Sequence, residues 1–248
     1  MEALAEYFRW LNDAHGINFS IFHDAFDRGR FLKGLWTTIE LSVLSIALSV
    51  AIGLVGSWLQ GARSRAVRGG VQAYVQFFRN TPPLVQLAFF YFAVAAILPT
   101  VRDVYGAQVP LVSSFGWALL SFSLFAGAFN VEIFRSGIEA VPTTTVEAAE
   151  SLGYGRLQAY TRIILPLAVR VSLPALVNNL VNLVKTTTLA YAIGVPELLY
   201  AAAQIWSETM NVREMMNVLL IVYIALVAIL VWLMGLWERS MRIPGYHV

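Results

Sequence analysis

The chain has 248 residues, of which 58% are hydrophobic and only 13% charged, with a mean hydropathy of +0.66. Soluble domains carry about 25% charged residues, so this composition excludes a water-soluble globule and indicates an integral membrane protein built as one bundle. A net charge of +2 on scattered Arg residues excludes a nucleic-acid binder, the lack of Cys excludes thiolate chemistry, and His15, His23 and His247 have no metal-ligand spacing.

Residues 1–33 mix the aromatics Tyr7, Phe8, Trp10, Phe19, Phe22 and Phe26 with charges. No apolar core with a small-residue cleavage site follows, so the stretch reads as an interfacial segment anchored by Trp10 and Trp36, or as a partly ordered tail. Five spans are expected, at about 35–59, 74–98, 109–134, 167–193 and 215–237. The last is the clearest, since its 23 residues hold Asn217 as the one strongly polar interruption. At about 1.5 Å per residue it reaches roughly 34 Å, enough for a hydrocarbon core of about 30 Å. The organisation expected is an outer interfacial segment at 1–33, a transmembrane domain at 34–240 and a cytoplasmic tail at 241–248. No long-period repeat is present.

Between spans 3 and 4 lies a polar island, residues 147–166, with the charges Glu147, Glu150, Arg156 and Arg162. Ala148, Ala149 and Leu152 share one helical face and Glu147 and Glu150 another, while Gly153 and Gly155 supply a turn and Pro166 a bend. Small residues on an exposed helix admit close approach by another backbone. The island is therefore a docking surface for a partner, or an ordinary surface helix-turn.

Glu147-Ala148-Ala149, Gly153 and Ile163-x-Leu165-Pro166 together give the spacing EAA-x3-G-x9-I-x-L-P. This resembles the cytoplasmic loop of the permease subunits of binding-protein-dependent ABC importers. The resemblance implies an all-α membrane protein of the type I importer permease fold, with five transmembrane helices. It also implies a cytoplasmic coupling loop at 139–166 that contacts an ATPase through Glu147, Ala148, Ala149, Gly153, Leu165 and Pro166. With five spans, the N-terminus is then outside and the C-terminus cytoplasmic. Ten of the 17 Lys and Arg fall on the cytoplasmic side and six outside, with Lys185 inside span 4, which agrees with the positive-inside rule.

Span 4 carries Asn178, Asn182 and Lys185 at i, i+4 and i+7, followed by Thr186. Ionisable groups at membrane depth face a bundle interior or a water-filled path, so this stripe either lines a translocation path or joins helices. Glu132 and Arg135 can pair at i, i+3, which makes a local ion pair the plain reading of Glu132. Arg79, Asn80 and Thr81 precede Pro82, where Asn or Thr caps a helix. Glu40 reads as an interface carboxylate rather than a proton carrier.

The runs Gly34-Leu-Trp-Thr-Thr38, Phe78-Arg-Asn-Thr-Pro82, Glu132-Ile-Phe-Arg-Ser-Gly137 and Lys185-Thr-Thr-Thr-Leu189 are similar to the permeases of polar amino acid importers. Where that family commonly has Gly-Gln before Glu-Ala-Ala, this chain has Thr144-Thr145-Val146, and Thr186 stands where Asp is frequent. The resemblance implies a non-enzymatic subunit of a bacterial inner-membrane importer, with a path drawn from Arg79, Asn80, Glu132, Asn178, Asn182, Lys185 and Thr186. It further implies an ATPase dimer carrying the ATP and Mg, an identical or homologous second permease, a periplasmic substrate-binding protein and surrounding lipid. No phosphate-binding loop motif, metal site or nucleic-acid face is expected in this chain. The alternative is an ion-driven carrier with Glu40, Glu132 and Lys185 as relay groups. Amino acids and derivatives such as opines both fit as substrates.

Overall fold

In the computed structural model, residues 2–102 and 104–240 are described, so the expected tail at 241–248 lies outside the described residues. Two short helices come first, α1 (Glu2–His15) and α2 (Ser20–His23), and then α3 (Ala25–Gln60). The 36 residues of α3 reach roughly 54 Å, longer than span 1 was expected to be. Arg28, Arg30 and Lys33 ride on its first turns, so the helix continues outside the hydrocarbon layer.

Span 2 is not a straight rod. α4 (Arg65–Asn80) and the helical stretch from α5 (Pro83–Ala88) to Ile97 meet at 109°. Pro82 and Pro83 cause the break, because neither has an N–H and each pushes its predecessor out of the helical region. Thr81 consequently ends α4 instead of opening a helix, and its Oγ1 donates to the Phe77 carbonyl at 2.7 Å. An antiparallel ribbon, β1 (Thr100–Arg102) with β2 (Gln108–Pro110), occupies the start expected for span 3. That span is instead α6 (Ser114–Glu139), followed by α7 (Thr143–Ser151), α8 (Arg156–Ala159), α9 (Leu165–Thr186), α10 (Leu198–Thr209) and α11 (Val212–Ser240). Among the described residues, four helices are long and apolar enough to cross a membrane, and five spans result if the bent pair counts as one.

The chain divides into two compact units, residues 1–44, 84–121 and 184–228 in the first and 45–83, 122–183 and 229–248 in the second. In the first, Ile21 and Phe31 pack with Leu198, Ala202, Ile205, Met215 and Leu219. Phe8 of α1 stacks on Phe22 of α2 at 4.5 Å between ring centroids. Asn211 Nδ2 donates to the Asn18 carbonyl at 2.9 Å, and Arg30 pairs with Glu208 at 3.0 Å.

In the second unit, Phe134, Leu173, Leu176 and Leu180 form the core with Ile46 and Val50. A polar clasp joins three helices there. Asn130 Nδ2 of α6 donates to Ser49 Oγ of α3 at 3.2 Å, and Asn179 Nδ2 of α9 donates to Asn130 Oδ1 at 2.8 Å and to the Ala126 carbonyl at 3.0 Å. With apolar lipid outside, small residues and interhelical hydrogen bonds hold such helices together. Gly137 allows the same approach, since a Cβ there would meet Ser172 Oγ and lie 2.6 Å from the Ala168 carbonyl oxygen.

Candidate functional site

The polar island folds as a helix, a turn and a second helix. α7 starts directly after Pro142, whose fixed φ suits a helix start, and it ends where Gly153 takes φ +83. Gly153 N–H donates to the Glu150 carbonyl at 2.9 Å and Tyr154 N–H to the Ala149 carbonyl at 3.1 Å, which satisfies the last turn of α7. Gly153 is required here by backbone conformation: a Cβ would meet nothing within 4 Å, but an L side chain is strained at this φ. Gly155 has no such need, because its φ is not positive.

Ala149 is buried while Glu147 and Ala148 are exposed. Leu152 does not join Ala149 on the buried face, contrary to the spacing argument, but stands 78% exposed at the turn, with Leu157 76% exposed beyond it. Leu152 N–H still donates to the Ala148 carbonyl at 3.1 Å, so its side chain keeps the phase of the exposed Ala148, one turn earlier, rather than that of the buried Ala149. Leu165 is half-buried and Pro166 exposed at the start of α9. Since Pro166 has no N–H, the Arg162 carbonyl lacks an i+4 donor, and the preceding turn, Tyr160–Ile164, is wound as a π-helix.

On α9 the residues Asn178, Asn182 and Lys185 are all exposed, as are Pro174 and Ala175 on the same side. Among the described residues this side of α9 stays exposed. Asn179, one residue on from Asn178, was not singled out from the sequence, yet it makes the clasp to Asn130; only its membrane depth and its neighbouring Asn pointed to it. Thr186 closes α9 half-buried, and Thr187 Oγ1 donates to the Val184 carbonyl at 2.7 Å at the start of a 3-10 stretch ended by Gly194.

Glu132 is engaged by its own helix and by α3: Arg135 donates to Glu132 Oε2 at 2.8 Å and to Glu139 Oε1 at 2.6 Å, and Gln60 Nε2 at the end of α3 donates to Glu132 Oε1 at 3.2 Å. The i, i+3 pair read from the sequence is therefore present. Arg79 lies over the Phe129 ring at 5.3 Å, a cation–π contact, and Asn80 Nδ2 donates to Gln76 Oε1 at 2.9 Å.

Glu197 also went unnoticed in the sequence, although Pro196-Glu197 ahead of an apolar run is a helix-start signal. It is fully buried between the spans, and its carboxylate accepts from Leu199 N–H at 3.0 Å, Tyr200 N–H at 2.8 Å and Tyr223 Oη at 3.1 Å. Thr38 Oγ1 of α3 accepts from Leu198 N–H at 2.9 Å beside it. Burial pushes the Glu197 carboxyl above its ordinary value, and these hydrogen bonds offset part of that.

Residues 36–243 match the family described as binding-protein-dependent transport system inner membrane component. The chain belongs to that family. This inner-membrane component is 30% identical over 199 residues to the probable amino-acid ABC transporter permease protein PatM of Vibrio harveyi, covering 80% of this chain and 86% of that one. It is 32% identical over 210 residues to the putative glutamine transport system permease protein GlnP of Rickettsia felis, covering 85% and 92%. Among solved structures it resembles an amino acid ABC transporter with histidines, at TM-score 0.74 and 27% identity over 86% of this chain and 94% of that one. The MetNI methionine ABC transporter, at TM-score 0.65 and 19% identity over 86% and 96%, shares the fold. The protein is thus a multi-pass inner-membrane permease of the importer fold, and the family decides against the ion-driven alternative.

Proposed function

We propose that this permease forms the membrane path of an ATP-driven importer for polar amino acids or their derivatives. Its energy comes from a separate ATPase dimer that docks on residues 147–166. One observation carries the coupling role: α7 ends at a left-handed Gly153 next to Leu152, which is highly exposed at the turn, and the equally exposed Leu157 follows four residues later at the start of the next helical run. Exposed leucines at a turn gain by entering a partner's groove, each burial contributing about 1.5–3 kcal/mol. Glu147, Ala148 and Gly153 supply the open backbone beside them, while Ala149 and Leu165 fix the loop to the bundle and Pro166 sets the winding of the turn before it.

In this reading the loop faces the cytoplasm, and α1, the β-ribbon and α10 lie on the outer side with the substrate-binding protein. The exposed face of α9, with Asn178, Asn182 and Lys185 and the half-buried Thr186 at its end, lines the path opposite a second permease, which is a copy or a relative of this one. Arg79, Asn80 and Glu132 flank its inner end. The relatives' names support amino-acid cargo. Replacing Leu152 and Leu157 together by Asp is expected to abolish co-purification of the ATPase and ATP-dependent uptake, with membrane insertion unchanged. Retained ATPase binding by that variant would overturn the docking role.

A further inference from the structure

At the end of the first unit, a polar cavity of about 560 Å³ opens between α1 and the turn joining α10 to α11. Asn12 and Asn18 line one side, and Thr209, Asn211, Arg213 and Glu214 the other. Asn211 is only 3% exposed. Its Nδ2 is used by the Asn18 carbonyl and Ser20 Oγ, but its Oδ1 is buried with no hydrogen-bond partner among the described residues. A buried acceptor without a donor costs free energy, and donors in the cavity remove that cost.

Three further features give the donor a sign. Glu214 is buried beside the cavity, with Arg213 donating to one carboxylate oxygen, Oε1, at 2.9 Å. The C-terminal ends of α1 and α10, at Asn12–Gly16 and Thr209–Met210, line the cavity and attract cations, while the first turn of α11, Val212–Glu214, lines it too and attracts anions. The guanidinium of Arg213 is itself largely exposed, so its remaining donors are open to an anion. A cation beside an anion is the pattern of a zwitterionic group.

The surroundings identify its carrier. Val212 lines the cavity and begins a row on α11, Val212, Met216, Leu220 and Ile224 at i, i+4, i+8 and i+12, all exposed on a membrane-spanning helix. At the rim, Met210 is exposed at φ 56, the only left-handed non-glycine among the described residues. On α1, Leu4, Tyr7 and Trp10 are exposed at i, i+3 and i+6, the amphipathic pattern of a helix lying in the headgroup layer. The cavity therefore sits at the head of a lipid-facing track.

We infer that this cavity binds a phospholipid whose headgroup ends in a primary ammonium. The ammonium donates to Asn211 Oδ1 and faces Glu214, the phosphate faces Arg213, and an acyl chain follows the Val212–Ile224 row. The site ties α1 to the bilayer and is independent of the transported substrate. A free amino acid carries the same ammonium, so the test separates the two sources.

The full chain, purified with its transporter partners, is placed in nanodiscs of equal parts phosphatidylethanolamine and phosphatidylcholine with matched acyl chains, and the retained lipid is identified by native mass spectrometry. Phosphatidylcholine has the same phosphate but no N–H donor. Phosphatidylethanolamine is expected to be enriched roughly fivefold, the scale of one ordinary hydrogen bond. Glu214→Gln should bring the ratio toward one, whereas Arg213→Ala, at an exposed position that leaves the core intact, should lower the retention of both lipids with the ratio kept, because both carry the phosphate. Equal retention by the unaltered protein, an enrichment that Glu214→Gln leaves unchanged, or retention that Arg213→Ala leaves unchanged overturns the assignment. Displacement of the lipid by free glutamine overturns it also, in favour of a soluble amino acid.

Discussion

Gly153 is held at φ +83 by its place after the last turn of α7, where two backbone hydrogen bonds close the helix. A side chain there costs about 1–2 kcal/mol in the loop, and 1.4 kcal/mol is tenfold in an equilibrium. Gly153→Leu is thus expected to lower the ATPase-bound fraction about tenfold without changing the amount in the membrane, and Gly153→Asn, which tolerates this region, should recover part of it. Gly155→Ala should change neither, as quantified by pull-down. Glu197 makes a prediction about pH. Its folded-state pKa lies above the ordinary carboxylate value, so the folded protein holds the proton more tightly than the unfolded chain. Stability from this group is then greatest at low pH and falls as pH rises from about 4.3 through the raised value. Glu197→Gln should flatten that fall, read as the thermal midpoint in detergent across the window; an unchanged slope would place the titration elsewhere.

Between helices, the Ser49–Asn130–Asn179 clasp does what apolar packing does poorly in lipid. A double-mutant cycle of Asn130→Ala and Asn179→Ala is expected to give a coupling of about 0.6 kcal/mol and no more than about 1.7. Zero coupling would mean that both amides find other partners. The sequence reading missed Asn179 because it sought a regular stripe, and the stripe of Asn178, Asn182 and Lys185 is the uncovered side of α9 rather than its packed side. The island was legible in detail, since EAA-x3-G and the proline at 166 each impose a backbone geometry that local chemistry dictates. Span limits were less so. Hydropathy detects the apolar middle of α3 but cannot see that its helix starts at Ala25, and it cannot tell a straight span from one folded by 109° at Pro82-Pro83. The half-ribbon at Gln108–Pro110 was hidden for the same reason: apolar residues at a membrane end look alike in strand and helix.

For the whole molecule, orientation is open to direct measurement because the chain has no Cys to remove. A Cys placed at Val104 in the ribbon turn should react with an impermeant maleimide in intact cells, and one placed at Ser151 only after the membrane is opened. The reverse pattern would invert the topology. The first unit also sets a timetable for synthesis. Ile21 and Phe31 complete their core with Leu198, Ile205 and Met215, Thr38 is matched by Leu198 N–H, and Asn18 by Asn211, 193 residues later. The first 38 or so residues must therefore wait with their core incomplete until almost all of the rest has been translated. A message cut short near codon 190 would leave those residues permanently exposed, and a pulse-chase should show that fragment degraded within the period in which the full chain persists.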